Sequence, residues 1–124
     1  MYRKKVTYKD YRGNERTEIF EFNLSDSEIM EMEADFAGSI TETISKLSQK
    51  QEHSEIIKIL KDIVLKAYGV ISDDGRRFIK SDDVKMAFYQ TEAYTKVFTE
   101  LATNDQAAIK FFERIISNDI ITDE

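Results

Sequence analysis

Apolar residues recur along the chain with two different periods, and the change of period divides it. Tyr2, Lys4, Val6 and Tyr8 share one face at period two, with Lys5, Thr7 and Lys9 on the other. Gly13-Asn14 marks a turn within Asp10 to Asn14. Thr17 to Phe22 alternates again, with Phe20 and Phe22 on one face and Ile19 and Glu21 on the other. Two such runs joined by a short turn predict a β-hairpin. A lone hairpin is marginal in water, so its aromatic face needs a helical layer to pack on.

From Leu24 onward the period is helical. Ser25 and Glu28 are spaced as a capping box, with Leu24 placed to staple against Ile29. Ile29, Met32, Phe36 and Ile40 then share a face, and Gly38-Ser39 is where this helix would break or bend. Thr41 to Gln51 reads as a polar helix anchored by Ile44 and Leu47. Ser54 to Tyr68 is the clearest helix. Ile56, Leu60, Ile63 and Ala67 form one row, and Ile57, Val64 and Tyr68 a second, which predicts burial over a broad face. Gly69 is placed as a left-handed cap. Val70 to Lys80 reads as a loop, with Gly75 taking positive φ.

Ser81 or Asp82 restarts a helix, with Val84, Ala87 and Phe88 on its buried side. Thr91 caps a segment carrying Tyr94, Val97, Phe98 and Leu101. Asn104-Asp105 caps the last, with Ala108, Phe111, Phe112, Ile115 and Ile116 facing inward. The expectation is one α+β domain over residues 1–124. It has a hairpin at 1–23, a helical body of about five helices at 25–118 and an acidic tail at 119–124.

Composition narrows the function classes. The chain has no Cys and one His, which excludes disulfide frameworks, cysteine nucleophiles, Cys-zinc sites and paired-His chemistry. Met86-Ala87-Phe88-Tyr89 is the longest apolar run, far short of a membrane span. The cytoplasm is the expected compartment. The net charge is −6 and unevenly spread. Residues 1–16 carry six bases against two acids, while 17–36 carry seven acids and no base. Such a field could steer a basic partner or join copies head to tail; its plain reading is solvation. Nucleic-acid binding is disfavoured, because the basic strip is short and lies beside the acidic one.

The local motifs give little chemistry. Asp73-Asp74-Gly75 resembles the centre of a calcium loop, but the EF-hand register would start at Val70 and end at Ser81, neither of them a suitable ligand. His53 has no nucleophile or orienting carboxylate near it in sequence and reads as an exposed polar residue at a helix start. The pairs Asp73-Asp74 and Asp82-Asp83 read as turn and cap residues. Four glycines at 13, 38, 69 and 75 make no phosphate loop. Phe88, Tyr94, Phe98, Phe111 and Phe112 read as core, and any surplus apolar face would favour self-association.

Two runs carry a family resemblance. Asp74 to Ser81, in Ala67-Tyr68-Gly69 … Ser72-Asp73-Asp74-Gly75-Arg76-Arg77-Phe78-Ile79-Lys80-Ser81, and Gln90-Thr91-Glu92-Ala93-Tyr94 resemble the tail assembly chaperones of long-tailed phages and prophages of Gram-positive bacteria. Glu100-Leu101-Ala102-Thr103 and the opening Val6-Thr7-Tyr8 … Phe22-Asn23-Leu24-Ser25 are similar too. The resemblance implies a non-enzymatic factor with no cofactor. It would coat the tape-measure protein, keep it soluble, and be displaced as major tail protein subunits polymerise around it. It also implies self-association in open arrays, action in the host cytoplasm and absence from the mature virion.

Arg76, Arg77, Phe78, Tyr89 and Tyr94, within or beside the matched runs, are the candidate partner-binding residues. A generic protein-interaction domain is the alternative. An enzyme acting through Asp73, Asp74, Arg76 and Arg77 is a third reading.

Overall fold

The computed structural model describes residues 1–35 and 38–123. Strands β1 (Tyr2–Lys9) and β2 (Glu15–Phe22) form the expected hairpin, with Tyr2 opposite Phe22 and Lys9 opposite Glu15. Asp10 organises the turn. Its carboxylate accepts the Arg12 N–H at 2.9 Å and the Asn14 N–H at 3.0 Å, while Gly13 takes φ +83. The alternation holds: Tyr2, Val6, Tyr8 and Phe22 are buried, and Ile19 on the opposite face is 48% exposed.

Six helices follow among the described residues, where about five were expected: α1 (Asp26–Glu33), α2 (Ile40–Gln49), α3 (His53–Ala67), α4 (Asp82–Tyr89), α5 (Glu92–Ala102) and α6 (Asp105–Ile115). The capping box at Ser25 and Glu28 forms as predicted. The row running from Ile29 to Ile40 is not one helix. Ser39 caps a new helix by accepting the Glu42 N–H at 3.1 Å, which places Ile40 in α2; Phe36 lies outside the described residues. Helix α2 closes in a Schellman motif. Glu52 N–H bonds to Leu47 C=O at 2.9 Å and Gln51 N–H to Ser48 C=O at 3.1 Å, with Gln51 left-handed at φ +58.

Two regions read as loop and tail carry strands. β3 (Tyr68–Ile71) and β4 (Phe78–Ile79) pair antiparallel, and β5 (Ile121–Thr122) pairs parallel with β1. The sheet order is β4-β3-β2-β1-β5. Gly69 is therefore a strand residue and not a left-handed cap. The C=O groups ending α3 are satisfied otherwise: Asn23 N–H donates to Ala67 at 2.8 Å, and the Lys85 ammonium donates to Leu65 and Lys66. Gly69 is needed for closeness, since a Cβ there would stand 2.8 Å from the Phe78 ring and 2.9 Å from the Ile79 carbonyl oxygen.

The helices cover one face of the sheet and aromatic rings fill the seam. Phe22 meets Tyr68, Phe88 and Phe111 edge-on at 5.8, 5.8 and 5.2 Å. Tyr68 stacks on Phe88 at 4.1 Å. Lys80, just past β4, fixes α1 against the sheet. Its ammonium reaches Asn23 C=O at 2.6 Å and both Glu28 oxygens at 2.8 Å. Burial alone would raise the Glu28 carboxyl, but hydrogen bonds from Lys80 and Ser25 outweigh it and hold it below its ordinary value. Two expected core positions are outside: Ile57 is 41% exposed and Ala87 is exposed, because α3 and α4 each turn a flank to solvent.

Candidate functional site

Beside Ile57 and Ala87, other residues of α3 and α4 face each other across a groove. On α4, Phe88 is buried and Val84 half-buried, which leaves Met86 (52% exposed) and Tyr89 (38% exposed) on the outer side. On α3, the spacing of four brings Lys61 and Leu65 opposite them. The groove between has a volume of about 430 Å³ and is lined by Lys61, Leu65, Asp82, Lys85, Met86 and Tyr89.

Its aromatic wall is held in place. Tyr89 packs edge-on against Tyr94 with centroids 4.9 Å apart, and the Lys61 ammonium lies 5.1 Å from its ring centre. Tyr94 in turn stacks on Phe98 at 5.7 Å and is only 8% exposed. Burial, then the neighbouring Tyr89 and Asp62, push its hydroxyl up to about 12. Burial pushes Lys85 down to about 8, helped by the positive charge of Lys80.

Leu65 also lines a second hollow of about 400 Å³ between α1 and α3, with Met32 and Ile59 as its other apolar residues. Its rim holds Glu31, Asp35 and Asp62 against Lys66. The outer side of α3 thus presents apolar surface to both sides. Thioethers suit such a surface, because a flexible, polarisable side chain adapts to different partners.

The five sequence candidates fall into two groups. Arg76 and Arg77 are exposed at the turn between β3 and β4. The register puts Phe78 on the sheet face away from the helices, half-buried over Gly69, with the Lys80 ammonium 5.6 Å from its ring centre. Tyr89 and Tyr94 lie in the helical layer, Tyr89 as groove wall and Tyr94 as the core residue behind it. No aromatic contact joins Phe78 to either among the described residues.

The paired acids sit where the turn and the helix start were expected. Asp74 accepts the Ser72 hydroxyl at 2.7 Å and the Arg76 N–H at 3.1 Å, which hold its carboxyl below the ordinary value, and Gly75 has φ +75 as expected. Asp82 and Asp83 form the first turn of α4. His53 is exposed at the start of α3. Among the described residues no three His, Asp or Glu side chains stand together as a metal site would need.

Sequence reading missed Lys61, Leu65, Lys85 and Met86. The available signal was an excess: α3 carries more apolar positions than one face can bury, and Leu65 falls outside both rows assigned to it. What the geometry offers is an apolar docking groove with an aromatic wall, together with a basic hairpin tip elsewhere on the surface. Among the described residues no helix is long and apolar enough to cross a membrane. No curated protein and no solved structure matches the chain. A family model described as phage tail assembly chaperone, a chaperone family and not an enzyme class, matches residues 1–124, and the chain belongs to that family.

Proposed function

We propose that the protein binds the tape-measure polypeptide during tail assembly, in several copies, through the groove between α3 and α4. It keeps that client soluble until major tail protein subunits replace it. The observation that carries the reading is the groove itself: Leu65, Met86 and Tyr89 form an accessible apolar surface backed by core residues and rimmed by Lys61, Lys85 and Asp82. An amphipathic helix laid in such a groove would bury its apolar anchors and keep its polar face in water. The net charge of −6 keeps the carrier soluble while it displays that surface. Arg76 and Arg77 then serve copy-to-copy contact, reaching the acidic segment 18–35 of a neighbour. The protein acts in the cytoplasm of a bacterial host, catalyses no turnover and leaves before the virion matures.

Co-expression with the tape-measure protein tests this. The expected result is a soluble complex that co-purifies and is lost on combining Met86→Asp with Tyr89→Ser. Arg76→Glu with Arg77→Glu should lower the number of copies per client, as should raised salt. A tape-measure protein equally insoluble with and without this chain refutes the proposal.

A further inference from the structure

One edge of the sheet is only partly filled. The Ile121 N–H bonds to the Met1 carbonyl at 2.9 Å and the Asp123 N–H to the Arg3 carbonyl at 3.0 Å. The Asp123 carboxylate then accepts the Lys5 N–H at 3.1 Å. The odd-numbered residues of β1 therefore turn their peptide groups away from β2, and the strand pairing of β5 stops at Arg3. The Lys5 C=O, both Thr7 peptide groups and the Lys9 N–H face the same edge. No backbone or side-chain hydrogen bond among the described residues reaches them.

There is room beside them. A hollow of about 240 Å³ opens at Lys5, Thr7 and Lys96, and one of about 340 Å³ at Thr7, Lys9 and Glu92. The two hollows are lined by four lysines, Lys4, Lys5, Lys9 and Lys96, and three glutamates, Glu15, Glu92 and Glu100. Lys5, Lys9 and Lys96 form no ion pair among the described residues. Of these acids Glu100 is engaged, lying 3.2 Å from Lys4.

The structure already shows what this edge takes. The strand seated on it, β5, is flanked by Asp119 and Asp123, and Asp123 bonds both to Lys5 N–H and, at 2.6 Å, to the Tyr2 hydroxyl. A second copy is a poor occupant. Its own β1 edge would set Lys5 and Lys9 against their equivalents, and its β4 edge is flanked by Arg76, Arg77 and Lys80.

We propose that the open edge of β1 at residues 5–9 captures an extended, acidic segment of a partner protein by strand addition, with Lys5, Lys9 and Lys96 reading its carboxylates. This surface is separate from the α3–α4 groove, so it serves a second partner while the groove is occupied.

The probe is a fluorescein-labelled octapeptide alternating Val and Asp, with blocked ends, titrated against the full chain and followed by anisotropy and by backbone amide NMR. The peptide should bind and shift the Thr7 and Lys9 amides. Lys5→Glu with Lys96→Glu should weaken it by about tenfold or more. Thr7→Pro removes an edge donor without touching the β2 ladder and should weaken it as well. Met86→Asp with Tyr89→Ser should leave it unchanged. Equal binding of a Val/Lys peptide, amide shifts confined to β4, or no binding would each overturn the proposal. The lysines would then only guard the edge against pairing.

Discussion

Phe22→Ala is the sharpest test of how the hairpin is held. Phe22 is fully buried and touches three other rings. Truncating a buried Phe costs about 3–5 kcal/mol. Three edge-on ring contacts, each worth about 0.5–1.5 kcal/mol beyond area, place this site in the upper half of that range. A chain of this length has an unfolding entropy of roughly 260 cal/mol/K, so about 4 kcal/mol lowers the melting temperature by about 15 °C. The chain has no Trp, so the assay is urea or thermal unfolding followed by circular dichroism and tyrosine fluorescence. The control lies three residues away. Ile19 sits on the opposite face and is 48% exposed, so Ile19→Ala should stay within about 0.5 kcal/mol. The pair tests register as well as packing, because a slip of one residue would exchange the faces of β2. A cost below about 1 kcal/mol for Phe22→Ala, or equal costs for the two variants, would refute this account of the core.

Gly69→Ala should destabilise by about 1–3 kcal/mol in the same assay, since the new methyl meets the Ile79 carbonyl, which cannot swing aside as a side chain can; an unchanged midpoint would mean that β4 does not lie against β3. Lys85 gives a pH dependence of definite sign. Its folded value is about 8 against 10.5 for the free side chain, so between these the unfolded chain holds a proton the folded chain has released. Stability should therefore rise from pH 8 towards 10. Above pH 10 the raised hydroxyls of Tyr8 and Tyr94, both about 12, act in the opposite direction and stability should fall. Lys85→Met should flatten the rise; a wild-type urea midpoint that declines between pH 8 and 9.5 would contradict the assignment.

Much of the fold was legible because it is written in local patterns. The hairpin, the Ser25–Glu28 box and the starts at Ser81, Thr91 and Asn104 depend on residues within a few positions of each other, and all form. What stayed hidden depends on distant partners. β3, β4 and β5 are short, and each exists because a neighbouring strand completes it. Gly69 fits a cap by local rules, yet Lys85 and Asn23 satisfy the end of α3, and the glycine serves the approach of Phe78 instead. Gln51 takes a left-handed cap that local rules assign to Gly. The groove was hidden for a similar reason. Periodicity shows that α3 and α4 have apolar residues, but only packing decides which of them remain outside. Tyr89 was within reach through the family resemblance; Met86 and Leu65 were not.

The size of the groove bears on how a client would be held. A space of about 430 Å³ takes one or two large side chains. Burying one such side chain contributes about 1.5–3 kcal/mol, which is less than the roughly 4–15 kcal/mol that association costs in lost freedom. One copy on one anchor is therefore a weak complex. The balance changes when copies also touch each other, because the second and later contacts then form at a raised effective concentration. A long client with repeated apolar anchors would be coated cooperatively, while a short apolar peptide would barely bind. The same arithmetic governs release. If a competing subunit removed a few copies at one end, the neighbours would lose their avidity and the coat would peel in order.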